Sequence, residues 1–447
     1  MKKKYIILFL IVFLLTFIFG FFFYSIYIDE VWNYGFAYSI SKGLIPYKDF
    51  NMIITPLYPF LLSFFINLFG NYLYSMYIFN SLIASLIFII MFKKIKYKSL
   101  IIYPLVLFII GLGYNLFAIF LALLIVMLCK YKYKYKYTNV ILGILVSFLF
   151  LTKQNIGFVF LIPLFFNSKS FKDFILRLFS FFVPILLFLV YLEFNGALYN
   201  FIDYCFLGLF DFASKNIMYF LIWLWLPIVF YLIYKLFKSK FMDEECMYVL
   251  CFQMMAYPLF DIFHFNISFI LFIFYFLGKV NLNKFKQSTY VILSFLFLIC
   301  LTIFSFNGFV YGSRKSSFLY MRLLGNNVEN GILELEDYVY SNLYLFDNDF
   351  DNFYIFDDLS YLIKLDMNLQ IGKYDLINNG NMGYRGENNI IEKLEEKCSN
   401  NSCMFVLPKN EVDNQINKSI LKYVKDNYIK INNINIFDIY VSGDYYE

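Results

Sequence analysis

The chain has 447 residues, of which 61% are hydrophobic and only 15% charged, with a net charge of +5. Soluble domains carry about 25% charged residues, so the composition excludes an ordinary soluble enzyme and points to an integral membrane protein. Residues 1–306 hold 24 Lys/Arg against 11 Asp/Glu, and residues 307–447 hold 13 against 21, a split that reads as two compartments rather than a nucleic-acid-binding surface.

Lys2-Lys3-Lys4 and the apolar run 5–25 look like a secretory signal, but no small-residue cleavage site follows. Many more apolar runs come after it, so it is read as an uncleaved first transmembrane helix. Its ~20 residues suit a hydrocarbon core of ~30 Å, and its lysines favour a cytoplasmic N-terminus. Residues 26–71 form a first outer region: a loop over 26–54, then an apolar stretch over 56–69 headed by Pro56-Leu57-Tyr58-Pro59. That stretch is too short to span and is expected to lie in the membrane interface.

A second span is expected at 72–92, ending on Lys93-Lys94-Ile95-Lys96-Tyr97-Lys98. The next basic run, Lys130 to Lys136 with Tyr at alternate positions, reads as a cytoplasmic loop with interfacial aromatics rather than an isolated strand. If both basic runs are cytoplasmic, the apolar residues between them must form a hairpin of two short helices, broken at Gly111-Leu112-Gly113-Tyr114-Asn115. The pattern recurs over 138–167, broken at Thr152-Lys153-Gln154-Asn155, and over 247–278, broken at Asp261-Ile262-Phe263-His264. Single spans follow at 178–194, 217–234 and 288–306, with outer residues 195–216 between the first two. Basic clusters at 169–177, 235–240 and 279–286 then share the side of the N-terminus. This puts 20 of the 24 Lys/Arg of the membrane half in the cytoplasm, as the positive-inside rule requires. The expected fold is an α-helical polytopic membrane protein with eleven spans, N-terminus in and C-terminus out.

Residues 307–447 are polar. Residues 353–357 and 404–407 read as buried strands, 388–397 and 416–427 as amphipathic helices, and 428–441 as a strand pair, which makes a small extracytoplasmic α/β domain. Of seven cysteines only Cys398 and Cys403 are close enough to suggest a bridge, which would matter in an oxidising compartment. The acidic stretch Asp347-Asn348-Asp349-Phe350-Asp351-Asn352 lacks the Gly and distal Glu of a calcium-binding hand and reads as a solvated loop.

On this topology the conspicuous polar groups of the apolar half all fall at the outer face: Asp29, Glu30, Lys48, Asp49, Lys153, Gln154, Asp203, Asp211, Asp261 and His264. Charges at the ends of interrupted helices are costly in hydrocarbon and face an interior cavity, so an outward-facing polar chamber is expected. A carboxylate there can act as general base, and Lys153, His264, Arg314 and Arg322 can neutralise a phosphate. The combination suits transfer from a lipid-phosphate donor, with an acceptor attacking an anomeric carbon as the lipid phosphate leaves. Simpler roles compete: Trp32 as an interfacial anchor, Asp49 as a cap or loop brace, Lys153 as a solvated turn lysine, Arg314 and Arg322 as headgroup contacts. A lone histidine with one carboxylate is a weak metal set, so no structural zinc is expected; a hard divalent cation at the donor phosphates is compatible with the pattern.

Asp29-Glu30 after the first span, Gly43-x-x-Pro46-Tyr47-x-Asp49-Phe50 and Thr55-Pro56-Leu57-Tyr58-Pro59 resemble the first outer loop of GT-C superfamily glycosyltransferases. The similar branch is the bacterial one resembling protein O-mannosyltransferases and lipid A aminoarabinose transferases (glycosyltransferase family 39-like). Thr152-Lys153-Gln154-Asn155-Ile156-Gly157 resembles the Lys-Gln segment of that branch. Tyr257-Pro258-x-x-Asp261-x-x-His264 resembles its Pro-x-x-Asp-x-x-His segment, with Leu259 where an Arg is common. Over residues 5–306 the resemblance implies a polyprenyl-phosphate-linked sugar donor and a first-loop acid, Asp29 (or Glu30), as catalytic base. It further implies a glycan, lipid or protein acceptor at the outer face of the plasma membrane. A lipid-sugar flippase is the first competitor, but transporters show internal repeats and midplane breaks, and no repeat is evident. A polysaccharide polymerase or ligase is the second, but the outer loop 195–216 holds neither Arg nor His.

Overall fold

A backbone segment surrounded by hydrocarbon must satisfy its own hydrogen bonds, so long apolar runs fold as helices. In the computed structural model each run expected to span is helical. The structure describes residues 2–23, 28–108, 113–129, 137–166, 168, 170–208, 219–257, 262–279 and 286–306. In the tail it describes 333–335, 337–339, 341, 352–357, 360–367, 369, 372, 374–377, 381–399, 403–409 and 416–442.

The long helices are α1 (Lys2–Phe23), α4 (Tyr74–Ile95), α10 (Phe171–Phe194) and α12 (Tyr219–Lys238). Among the described residues these supply the four stretches long and apolar enough to cross a membrane. α4 is the central one, buried against α1, α3 (Leu57–Phe69) and α6 (Tyr114–Cys129). α1, α10 and α12 lie at the periphery with Leu10, Phe179, Leu187 and Phe230 exposed, the apolar surface a bilayer covers. The protein is a membrane protein on these grounds.

The expected hairpins appear as short helices. α5 (Ser99–Phe108) leaves α4 through a tight turn, Lys96–Lys98, and α6 starts at Tyr114, with residues 109–112 of the first expected break outside the described residues. α7 (Thr138–Thr152) is followed at once by α8 (Gln154–Val159) and α9 (Leu161–Phe166), so the returning arm is two pieces rather than one. α13 (Glu244–Phe252) precedes α14 (Ile262–Lys279); of the third expected break, Asp261 lies outside the described residues, while Ile262, Phe263 and His264 are helical. α15 (Gln287–Phe306) closes the apolar half.

Three boundaries differ from the expectations. The stretch read as loop 26–54 contains α2 (Ile28–Ser41), which the acidic pair opens. Carboxylates in a first turn complement the unpaired N–H groups there and the helix dipole, so the pair starts a helix instead of ending one. α10 begins at Phe171, because Ser170 caps it by accepting a hydrogen bond from the Asp173 N–H, inside the basic cluster read as loop. Residues 195–216, read as loop, contain α11 (Leu198–Ile202) and a π-helical turn, Asp203–Leu207.

At the end of the helical body away from these outer segments, buried charges are paired. Arg177 is buried, donates to Asn139 Oδ1 through Nε (3.0 Å) and Nη2 (2.8 Å), and donates to the Leu164 carbonyl at 2.6 Å. Asn139 in turn donates to Asp173 at 2.7 Å, so α7, α9 and α10 meet at one guanidinium. Lys94 pairs with buried Glu245, joining α4 to α13.

The tail carries a four-stranded sheet in the order β1-β2-β4-β3, with β1 (Phe353–Ile355) parallel to β2 (Met404–Pro408) and the other pairings, to β4 (Phe437–Val441) and β3 (Ile429–Ile434), antiparallel. Side chains alternate between faces along each strand. Tyr354, Phe405 and Leu407 pack under α17 (Gly386–Cys398) and α18 (Lys418–Asn427). Phe353, Ile355, Met404 and Val406 face the other way and join the core cluster that continues into the membrane half. α16 (Ser360–Asp366), not anticipated from the sequence, lies on that second face. Cys398 and Cys403 are joined as a disulfide.

Replacing Arg177 by Leu leaves the Asn139 and Leu164 oxygens buried without their donor, at a cost of about 1–3 kcal/mol each. Thermal unfolding in detergent should show a clear loss of stability, only partly recovered by Arg177→Lys, whose ammonium lacks the planar fork.

Candidate active site

The site is built on the break between α7 and α8. Thr152 turns its hydroxyl back to the Phe148 carbonyl (2.8 Å), a bond that competes with helix continuation. Lys153 then adopts an extended conformation, φ −148° and ψ 98°. α8 folds back so closely that a Cβ on Gly157 would stand 2.2 Å from the Phe150 Cα, which is why glycine occupies that position.

Extended backbone at the break aims three successive side chains in different directions. Lys153 Nζ donates to Asn115 Oδ1 at 2.7 Å and lies 5.3 Å from the centre of the Tyr114 ring. Gln154 Nε2 donates to the Cys205 carbonyl, 3.0 Å away in the π-helical turn. Asn155 Nδ2 donates to the Tyr257 carbonyl at 3.2 Å. One short segment thus holds the start of α6, the 198–208 segment and the approach to α14. Lys153 is only 8% exposed, so its ammonium sits in a medium where a charge interacts strongly with whatever faces it.

The segment after α2 reaches the same hub. Thr55 Oγ1 donates to the Phe150 carbonyl at 3.1 Å, one turn before the break. The Tyr58 hydroxyl donates to Asn80 Oδ1 at 2.8 Å and packs against Gly113, directly before Tyr114 and Asn115. Glu30, 1% exposed in the first turn of α2, is near enough to Tyr58 for its charge to act on the phenol. Two buried polar groups therefore lie close together in the chain: Glu30, Tyr58 and Asn80 on one side of Gly113, and Asn115 with Lys153 on the other.

The other sequence candidates are placed as follows. The Asp29 backbone lies in the first turn of α2, and its side chain is outside the described residues, as are Asp261, Arg314 and Arg322. Asp49 accepts a hydrogen bond from the Ile45 N–H at 2.7 Å and donates its own N–H to the Ile45 carbonyl at 3.0 Å, so it braces the loop. Lys48 is exposed on that same turn. His264 is half-buried in the first turn of α14, on the segment that Asn155 holds through Tyr257. The sequence reading missed Tyr58, Asn80 and Asn115. Each is a hydrogen-bonding residue inside an apolar helix, a signal that was present but shared with several serines of α4. Among the described residues no group of three or more His, Cys, Asp or Glu is placed to hold a metal.

The described residues form an apolar helical body with interrupted helices, and a small mixed sheet packs on the end that holds the hub. The structure is similar to the crystal structure of ArnT from Cupriavidus metallidurans bound to undecaprenyl phosphate. The TM-score is 0.57 at 10% identity, covering 99% of this chain and 98% of that one. The apo state of the same protein matches with a TM-score of 0.54 at 9% identity, covering 98% of each chain. The resemblance to the GT-C superfamily read from the motifs is thereby borne out at the level of the fold. No protein-family model and no curated protein matches the sequence.

A methyl group at Gly157 forces α8 off α7. Gly157→Ala should cost about 1–3 kcal/mol by overpacking and raise hydrogen exchange across 153–160, read by mass spectrometry on the detergent-solubilised protein.

Proposed function

We propose that this chain is a membrane glycosyltransferase that moves a sugar from a polyprenyl-phosphate-linked donor to an acceptor at the outer face of the cell membrane. The observation that carries the reading is the buried Lys153, held at the helix break by Asn115 and the Tyr114 ring. An ammonium in such a setting suits recognition of an anionic substrate group. Full-length likeness to a protein captured with undecaprenyl phosphate supports a lipid phosphate as that group. Outer placement rests on the positive-inside distribution of the basic loops and on the Cys398–Cys403 bridge, which persists in an oxidising compartment.

In the proposed reaction the acceptor hydroxyl or amine attacks the anomeric carbon, and a first-helix carboxylate takes its proton. Asp29 is assigned this role, with Glu30 as the alternative base. The bond from the anomeric carbon to the phosphate oxygen breaks, and its electrons leave with the lipid phosphate. Lys153 meets the charge that develops on that oxygen, which stabilises the departing group more than the bound donor.

General base catalysis is worth about 10²–10⁴-fold. Asp29→Asn should lower kcat by that order with donor KM little changed, measured with labelled polyprenyl-phosphate sugars on the purified protein; full activity would remove Asp29 as base. Glu30→Gln separates the two acids. Lys153→Ala should weaken donor binding about 10- to 100-fold, the worth of a charge-assisted hydrogen bond of about 1.5–3 kcal/mol. Mass spectrometry of co-purified lipid should find polyprenyl phosphate in the unmodified protein and a reduced amount in this variant.

A further inference from the structure

The proposed chemistry uses the membrane half alone, yet the tail touches both walls of the site. Tyr361 of α16 meets Phe36 of α2 edge-on, with ring centres 5.7 Å apart, and Phe36 stacks on Phe50 at 6.0 Å. Phe36 lies on the helix that the acidic pair opens. Buried Asn51, next to Phe50, donates to the tail carbonyls of Leu376 (2.5 Å) and Asn381 (3.3 Å).

A few residues later the tail reaches the 198–208 segment, the second wall. Arg385 donates to Asn200 Oδ1 at 2.9 Å and to Asp203 Oδ2 at 3.4 Å, and its guanidinium stands 5.0 Å from the Tyr199 ring. Gly383, at φ +76°, lies so near the Asp203 carboxylate that no side chain fits there. Asp203 is buried at 2% exposure, with the Arg385 guanidinium beside it. Cys205 in the same π-helical turn accepts from Gln154 of the hub, and Asn200 donates to the Tyr47 carbonyl of the first outer region at 2.9 Å. The contacts close a ring: tail, α2 and its following loop, hub, 198–208 segment, tail.

The tail presents these groups from a stiff frame. Lys364 and Asp375 form a buried ion pair at 2.8 Å, and Lys364 also donates to the Phe353 carbonyl of β1 at 2.9 Å. Asp375 directly precedes Leu376, so the pair ties α16, β1 and the Asn51 contact together.

We propose that the tail domain is a positioning element of the site, with Arg385 and Asn51 as positioning residues that hold the 198–208 segment and the acidic helix α2 against the Lys153–Asn155 hub. The proposal rests on the transferase reading for its effect on rate, but not for its effect on structure. Opening the ring at one tail contact leaves the other to brace both walls, and opening it at two leaves them held only by direct contacts such as Asn200 to Tyr47.

The full-length chain in nanodiscs serves for both readouts. Hydrogen exchange by mass spectrometry over 30–52 and 198–208 reports the walls, and transfer from a labelled polyprenyl-phosphate sugar reports the reaction. Arg385→Ala is expected to raise exchange over 198–208 several-fold and lower kcat at least 10-fold, with donor KM within 3-fold. Asn51→Ala is expected to do the same over 30–52. The double variant should exceed the product of the two single effects in both readouts, and Arg385→Lys should recover most of the loss. Unchanged exchange at both walls in the double variant, with the α17–α18 region still protected, overturns the proposal. Raised exchange with unchanged kcat also overturns it. If the unmodified protein transfers no sugar, the transferase reading fails on its own, and the exchange at the two walls still decides the brace.

Discussion

Everything at the proposed site depends on one interruption of a helix. At Lys153 the backbone leaves α7 in an extended conformation and re-enters a helix at once. Had α7 continued, the next three side chains would point around a helical cylinder, about 100° apart, into neighbouring helices. The break instead makes Lys153, Gln154 and Asn155 the common anchor of the α6 start, the 198–208 segment and the approach to α14. Helix breaks at membrane depth are tolerated only where other groups satisfy the freed backbone and side chains. Here polar residues from four separate elements do so.

The distribution of polar groups in the apolar body follows the same logic. Each buried charge has partners that cross elements: Arg177 joins α7, α9 and α10, and Glu245 takes Lys94 of α4. These pairs knit the end of the body opposite the hub. At the hub end the polar pairs Tyr58–Asn80 and Lys153–Asn115 likewise run between helices rather than along one. A low-dielectric setting strengthens each of these interactions, which suits a site that must meet a negative leaving group.

The two-faced sheet of the tail explains why a polar domain is fastened to an apolar one. Strand alternation sends Tyr354 and Phe405 toward the tail's own helices, and Phe353 and Met404 toward the membrane half. Both faces of the sheet are therefore covered. The buried Lys364–Asp375 pair and the Arg385–Asp203 contact then fix orientation, which apolar packing by itself does poorly.

Much of this was legible in the chain. Runs of apolar residues must be helical in lipid, and basic clusters mark their ends, so the helices and the break at Lys153 followed from spacing. Short apolar runs likewise revealed β1 and β2, and amphipathic periodicity the helices read at 388–397 and 416–427, which run over 386–398 and 418–427. The short motifs around Asp29, Lys153 and His264 carried the superfamily resemblance that the fold shares. What spacing could not supply was partnership. That Asp29 and Glu30 open a helix, that Lys153 meets Asn115, and that Arg385 lies on Asp203 from 182 positions away are facts of tertiary packing. Local periodicity constrains which residues share a face of one element; it is silent on which faces meet, because that is decided by the whole chain burying its apolar surface at once.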